Sequence, residues 1–220
     1  MSACDLYFIS GSPPCWTVML ALEFKGVAYT PRRLDNAKRE QKSPEFLKIN
    51  PRGQVPVLVH EGNTVCETLA ILAYLDGIAP EPALFGRSPA ETAQIWQIIS
   101  ECDGNLRNPV GDISRPLFRG KGEAFREQIV EAATCVRDEL ALLDARVASG
   151  PWFAGDTASA ADFVAFPVVM QLCRASAREE AAPLELGVYP LGAHTPNLDK
   201  WAKRIEAIEG YGNAYPPHWK

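Results

Sequence analysis

The chain has 220 residues, 47% of them hydrophobic, and a formal charge of −5 from 22 Lys and Arg against 27 Asp and Glu. That length buries the core of one large or two modest domains, and the acidic balance with scattered basic residues leaves no field for a nucleic-acid partner. No apolar run approaches the roughly 18 residues that span a bilayer, and "MSACDLYF" lacks the basic region and apolar core of a signal peptide, so a cytoplasmic protein with no membrane partner is expected.

In chain order, the first eighty residues alternate short apolar runs with helical patterns. "LYFIS" reads as a strand, the stretch to Lys25 as a helix, "VAYTP" as a strand and "SPEFLKIN" as a short helix. Val57–Val59 and Thr64–Cys66 form a hairpin signal around "HEGN", and a helix runs from Glu67 to about Gly77. After the Pro-rich "APEPALFGRSPAE" the texture turns helical. Ile95, Ile98, Ile99 and Cys102 recur at helical spacing, as do Val136, Leu140, Leu143 and Val147, and Ser159 with Asp162 has the pattern of a capping box. The predicted architecture is an α/β domain over 1–80, a linker over 81–90 and an all-helical domain over 91–220.

The six cysteines (Cys4, Cys15, Cys66, Cys102, Cys135 and Cys173) show no C-x-x-C pair and no zinc spacing with histidine, and read as reduced thiols with no metal. In sequence, none of the three histidines, His60, His194 and His218, stands beside a candidate nucleophile, which argues against a Ser/His or Cys/His hydrolase. P-loop and dinucleotide fingerprints are missing as well.

Candidate functional residues each have a structural reading beside a chemical one. Ser12 before Pro13 and Pro14 is a good helix N-cap, but a hydroxyl there can also donate to an anion held at the helix start. Pro56 suits a strand start, and a turn at that point can present the Val55 backbone to a peptide-like ligand. Glu67 and Thr68 complement a helix N-terminus, or supply N–H groups and a hydroxyl to a ligand carboxylate. Lys42 is by default a solvated surface lysine. Glu101, Asp103, Arg107 and Asn108 can face a cleft but read first as a solvated helix face, and the tail aromatics Tyr211, Tyr215 and Trp219 can cover an apolar ligand but read first as packing on the helical domain.

These signals, in this order, resemble the cytosolic glutathione transferase superfamily over nearly the whole chain. "SGSPPCWTVMLALEFKG", "KSPEFLKINPRGQVPVL" and "CETLAILAYLD" are similar to the segments of its thioredoxin-like domain, and "FAGDTASAADFVAFPV" to the capping motif of its helical domain. The run from "GSPPCW" through "NPRGQVP" looks most like the rho class, with phi and delta classes more distant.

The resemblance implies glutathione as co-substrate, a homodimer, and site roles carried residue by residue. Ser12 falls on the thiol-activating serine, Val55 on the backbone-pairing residue and Pro56 on the cis-proline. Glu67 and Thr68 fall on the pair that holds the γ-glutamyl end, and Gln41, Lys42 and Gln54 on the glycine-carboxylate and backbone-contact positions. Thr68 stands where serine is usual, Gln41 where histidine is frequent, Thr17 where arginine is common, and Arg52 where several classes hold an aromatic key for the dimer interface. The expected activity is conjugation of the glutathione thiolate to electrophilic apolar small molecules, with 1–80 as the glutathione-binding domain and 91–220 as the substrate-binding domain. Thiol–disulfide exchange through Cys15, isomerisation of a glutathione adduct, and a non-enzymatic ligand-binding module are the alternatives.

Overall fold

Alternation along "CDLYF" makes β1 (Cys4–Phe8) a strand with Cys4, Leu6 and Phe8 buried and Asp5 and Tyr7 half-buried. The computed structural model describes residues 4–219, and in it β1 is an inner strand of a four-stranded sheet. Helix α1 (Pro13–Phe24) leads to β2 (Tyr29–Arg33), a single helical turn η1 (Glu40–Lys42) and the short α2 (Pro44–Leu47) follow, and then come the hairpin strands β3 (Val57–His60) and β4 (Asn63–Cys66) and helix α3 (Thr68–Ile78). The sheet order is β2-β1-β3-β4, with β2 parallel to β1 and the other pairings antiparallel. This is the β-α-β-α-β-β-α order of a thioredoxin-like domain, as the sequence predicts.

Two boundaries differ from the sequence reading for physical reasons. Strand β2 begins and ends two residues later than "VAYTP", because its register pairs Cys4 with Tyr29 and Phe8 with Arg33. An edge strand tolerates Pro31 and leaves Arg32 and Arg33 in solvent, so hydrophobicity does not mark its end. The hairpin closes through Glu61 and Gly62 alone, both at positive φ (50° and 80°), which lets His60 and Asn63 pair.

One buried ion pair ties the first helices together. The Lys25 ammonium, with no side-chain exposure, donates to Asp76 Oδ1 at 2.9 Å and to the Pro82 carbonyl at 2.7 Å, while the Leu84 N–H donates to the same carboxylate oxygen at 2.8 Å. The end of α1 is thereby joined to the end of α3 and to the segment that leaves it.

The chain packs as two units: the residues up to Phe85 together with those from Ala207 onward, and Gly86–Glu206. The second unit is helical, with α4 (Pro89–Glu101), α5 (Arg107–Phe118), α6 (Arg126–Val147), α7 (Ala160–Ser176), α8 (Leu191–His194) and α9 (Pro196–Glu206). Ile95, Ile98, Ile99 and Cys102 on one side and Val136, Leu140, Leu143 and Val147 on another are buried, as their spacing predicts. Helix α7 is buried almost all round and packs against α4 and α5. Its start is fixed by Asp162, fully buried, whose carboxylate accepts from Ser159 N (2.8 Å), Ser159 Oγ (2.9 Å), Phe153 N (3.1 Å) and Trp201 Nε1 (2.8 Å). Burial pushes the Asp162 carboxyl upward in pKa, and these donors pull it back. Three of the polar residues read as a solvated face form ion pairs within the unit: Arg107 with Asp103 at 2.7 Å, and Glu101 with Arg146 at 3.0 Å.

The tail departs from its expected place. It forms α10 (Tyr211–Ala214) and a final turn, Pro217–Trp219, and packs on α1 of the first unit rather than on the helical domain. Trp16 is the anchor, with Trp219 edge-on at 5.2 Å, Tyr215 at 6.0 Å and Tyr211 at 6.3 Å between ring centroids.

Candidate active site

The β1–α1 turn presents Ser12. Its N–H bonds the Ile9 carbonyl at 3.2 Å, its own carbonyl accepts from Trp16 N at 2.9 Å, and its backbone is extended (φ −75°, ψ 121°). The hydroxyl makes no cap hydrogen bond to the helix. Pro13 and Pro14 fill the first two helical positions and have no N–H, so the usual amide target of an N-cap at the second position is missing. The same prolines thin out the amide donors that α1 can offer an anion. The Ser12 hydroxyl is half-buried and within hydrogen-bonding reach of the Cys15 thiol.

Cys15 is 1% exposed, and burial pushes its thiol up to about 11, against the opposing hydrogen bonds of Ser12 and the Ile9 backbone. At pH 7 roughly one such thiol in ten thousand is ionised. We expect that native protein at neutral pH leaves Cys15 unalkylated by iodoacetamide while exposed Cys135 reacts, and that Cys15→Ala keeps its activity toward glutathione. Peptide mapping after alkylation checks the first, and robust disulfide-exchange turnover lost in Cys15→Ala would contradict the second.

A cavity of about 390 Å³ opens beside this turn. Among its walls are Ile9, Pro14, Gln41, Gln54, Val55, Pro56, Glu67 and Thr68. Six of the residues singled out in the sequence thus come together: Gln41, Gln54, Val55, Pro56, Glu67 and Thr68. The Val55–Pro56 peptide is cis. Ser12 and Lys42 do not line this cavity, although Ser12 lies between Ile9 and Pro14, which do. Lys42 instead donates to the Arg52 carbonyl at 2.8 Å and clamps its own turn to the 50–54 loop.

The polar ends of the cavity have distinct chemistry. Thr68 opens α3, and Glu67, its N-cap, gives no side-chain cap; both residues line the cavity, so an uncapped helix start borders it. Glu67 adopts φ 72° and ψ 128°, a conformation that costs a non-glycine residue about 1–3 kcal/mol and is typical of ligand-holding positions. At the other end, Gln41 Nε2 donates to Asn36 Oδ1 at 3.0 Å, and Gln41 Oε1 is buried with no partner among the described residues. Oriented this way, Gln41 offers an acceptor, and it serves a carboxylate only after its amide turns over.

Sequence reasoning missed two supports of this cavity. Asn50 is buried, donates from Nδ2 to the Gln54 carbonyl at 2.8 Å and accepts the Arg52 N–H at 3.1 Å, which shapes the loop that carries Gln54 and Val55. Gly53 has φ 58°, and a Cβ there would lie 2.6 Å from the Gln41 carbonyl, so glycine alone fits. The Asn-Pro-Arg-Gly spacing of "NPRGQVP" is the turn signal that marks both.

A second cavity, about 430 Å³ and mainly apolar, lies on the α1 and β2 side of the same turn. Phe8, Trp16, Met19, Tyr29, Pro31 and Tyr215 wall it, and Ile9 lines both cavities. Among the described residues no group of His, Cys, Asp and Glu is placed to hold a metal ion, and no helix is long and apolar enough to cross a membrane.

The model of the glutathione S-transferase N-terminal domain matches residues 2–77, and that of the glutathione S-transferase C-terminal domain matches residues 123–204. The chain belongs to the glutathione S-transferase family. It is 33% identical over 195 residues, 86% of each chain, to glutathione S-transferase A of the plaice Pleuronectes platessa. A glutathione S-transferase from the Antarctic clam Laternula elliptica matches with a TM-score of 0.82 at 27% identity, over 99% of this chain and 94% of that one. A glutathione transferase homologue from Sulfitobacter, solved with bound glutathione, shares the fold with a TM-score of 0.74 at 23% identity, over 97% of both chains.

Proposed function

We propose that this transferase binds glutathione in the 390 Å³ cavity and adds its thiolate to electrophilic apolar small molecules, with Ser12 as the thiolate-stabilising group. The observation that carries this reading is the Ser12 hydroxyl, placed at the α1 start yet not spent on capping it. In this reading Thr68 and the α3 amides take the γ-glutamyl carboxylate, the Val55 backbone pairs with the cysteinyl unit, Gln54 and Glu67 complete that wall, and Gln41 with Lys42 serves the glycine end. The apolar cavity across the turn is the second substrate's pocket, within reach of the same β1–α1 segment. Residues 1–80 then act as the glutathione-binding domain, 81–90 as the linker and 91–220 as the helical domain, with the tail contributing to the second pocket. Rho-class membership, a cytoplasmic location, a homodimeric assembly and a role in detoxification belong to the same proposal, supported by the residue pattern and the fish relative.

A free thiol of pKa near 8.5 is only about 3% ionised at pH 7. A hydrogen bond to a charged acceptor is worth roughly 1.5–3 kcal/mol, so Ser12 lowers the bound thiol's pKa by about one to two units. A two-unit drop raises the thiolate fraction about 25-fold, but each thiolate becomes roughly 8-fold less nucleophilic, leaving a net gain near threefold. The larger share of rate enhancement comes from holding the electrophile against the sulfur.

Ser12→Ala is therefore expected to lower conjugation of an aryl halide several-fold at neutral pH, to recover most of that loss at high pH, and to keep its KM for glutathione within about twofold. Steady-state kinetics across pH test this. Equal rates for Ser12→Ala and wild type at neutral pH would remove Ser12 from the mechanism.

A further inference from the structure

The tail reaches the catalytic turn from the far end of the chain. Ser10 Oγ and His218 Nδ1 lie 3.2 Å apart, and His218 is exposed. Gly11, between Ser10 and Ser12, has φ 83°, and a Cβ added there would meet His218 Nε2 at 3.1 Å and Trp219 at 3.1 Å. Trp219 is itself seated on Trp16, one turn into α1. The last described residues thus press on the backbone that presents Ser12 from one side while Trp16 holds them from beneath.

We infer that His218 is a positioning residue for the thiolate-stabilising serine, and that the C-terminal turn is a strut that fixes the Ser10–Gly11–Ser12 backbone. This rests on the reading of Ser12 given above. The contact is compatible with either protonation state of the ring. A neutral imidazole accepts from the Ser10 hydroxyl through unprotonated Nδ1, and an imidazolium donates from Nδ1 to the same oxygen, because a hydroxyl offers both a donor and lone pairs. The strut acts on where the Ser12 hydroxyl points and leaves the carboxylate-binding residues around Thr68 and Gln54 untouched, so it separates chemistry from binding.

The test is steady-state conjugation of an aryl halide across pH by the full chain and its Ser12→Ala, Ser10→Ala, His218→Ala and His218→Asn variants. His218→Ala and Ser10→Ala are expected to lower kcat at neutral pH by up to about twofold, less than Ser12→Ala does, to raise the apparent pKa of the rate profile by about half a unit, and to leave the KM for glutathione within about twofold. His218→Asn places an amide near the Nδ1 position and is expected to restore most of the loss. If Ser12→Ala shifts the profile while His218→Ala and Ser10→Ala overlay the wild type, the strut is wrong and the role of Ser12 stands. If Ser12→Ala leaves the profile where it was, both are overturned.

Discussion

Asp162→Ala is expected to destabilise the helical unit by about 3–5 kcal/mol. The carboxylate is fully buried and accepts from two backbone amides, the Ser159 hydroxyl and the Trp201 indole. Truncation leaves those donors buried with no acceptor and empties the volume under Phe153 and Trp201, whose rings lie 4.8 Å apart. It also removes the reciprocal cap of α7, the most buried helix of the unit. Equilibrium urea unfolding with the change in midpoint read at constant slope measures the cost, and a loss below about 1 kcal/mol would show that the network is not a keystone.

Thr68→Val is expected to weaken glutathione binding about ten- to hundredfold, since it deletes a hydrogen bond to a charged group while keeping the side chain's shape. Thr68→Ser, which keeps the hydroxyl, is expected to bind like the wild type. The amides of the first turn of α3 remain in both variants, so the difference isolates the hydroxyl. Isothermal titration with glutathione checks it. Equal affinities for Thr68→Val and Thr68→Ser would place the ligand carboxylate elsewhere.

The parts of this molecule that the sequence makes legible are those where periodicity and burial coincide. Leu6 and Phe8 on β1, Ile95, Ile98 and Ile99 on α4 and Val136 to Val147 on α6 each announce a buried face, because one repeat serves one side of one element. The prolines of the candidate site were equally visible, since Pro13 and Pro56 carry backbone constraints whatever packs around them. What stayed hidden depends on distant segments. The end of β2 is set by pairing with β1, and the tail's seat on α1 by a Trp16 surface that no local pattern identifies. The same holds for His218. In sequence no histidine stands beside a candidate nucleophile, yet folding brings its ring across 208 positions to Ser10. Ser12 is the opposite case: its position was plain and its occupation was not. A serine before two prolines reads first as a cap, and the structure shows that the cap bond is not made.

The most direct test of the central claim is titration of the thiolate absorbance of protein-bound glutathione against pH, in wild type and Ser12→Ala side by side. The account predicts a wild-type midpoint about one to two units below that of free glutathione and a Ser12→Ala midpoint returned close to the free value. Coincident midpoints in the two proteins would contradict it.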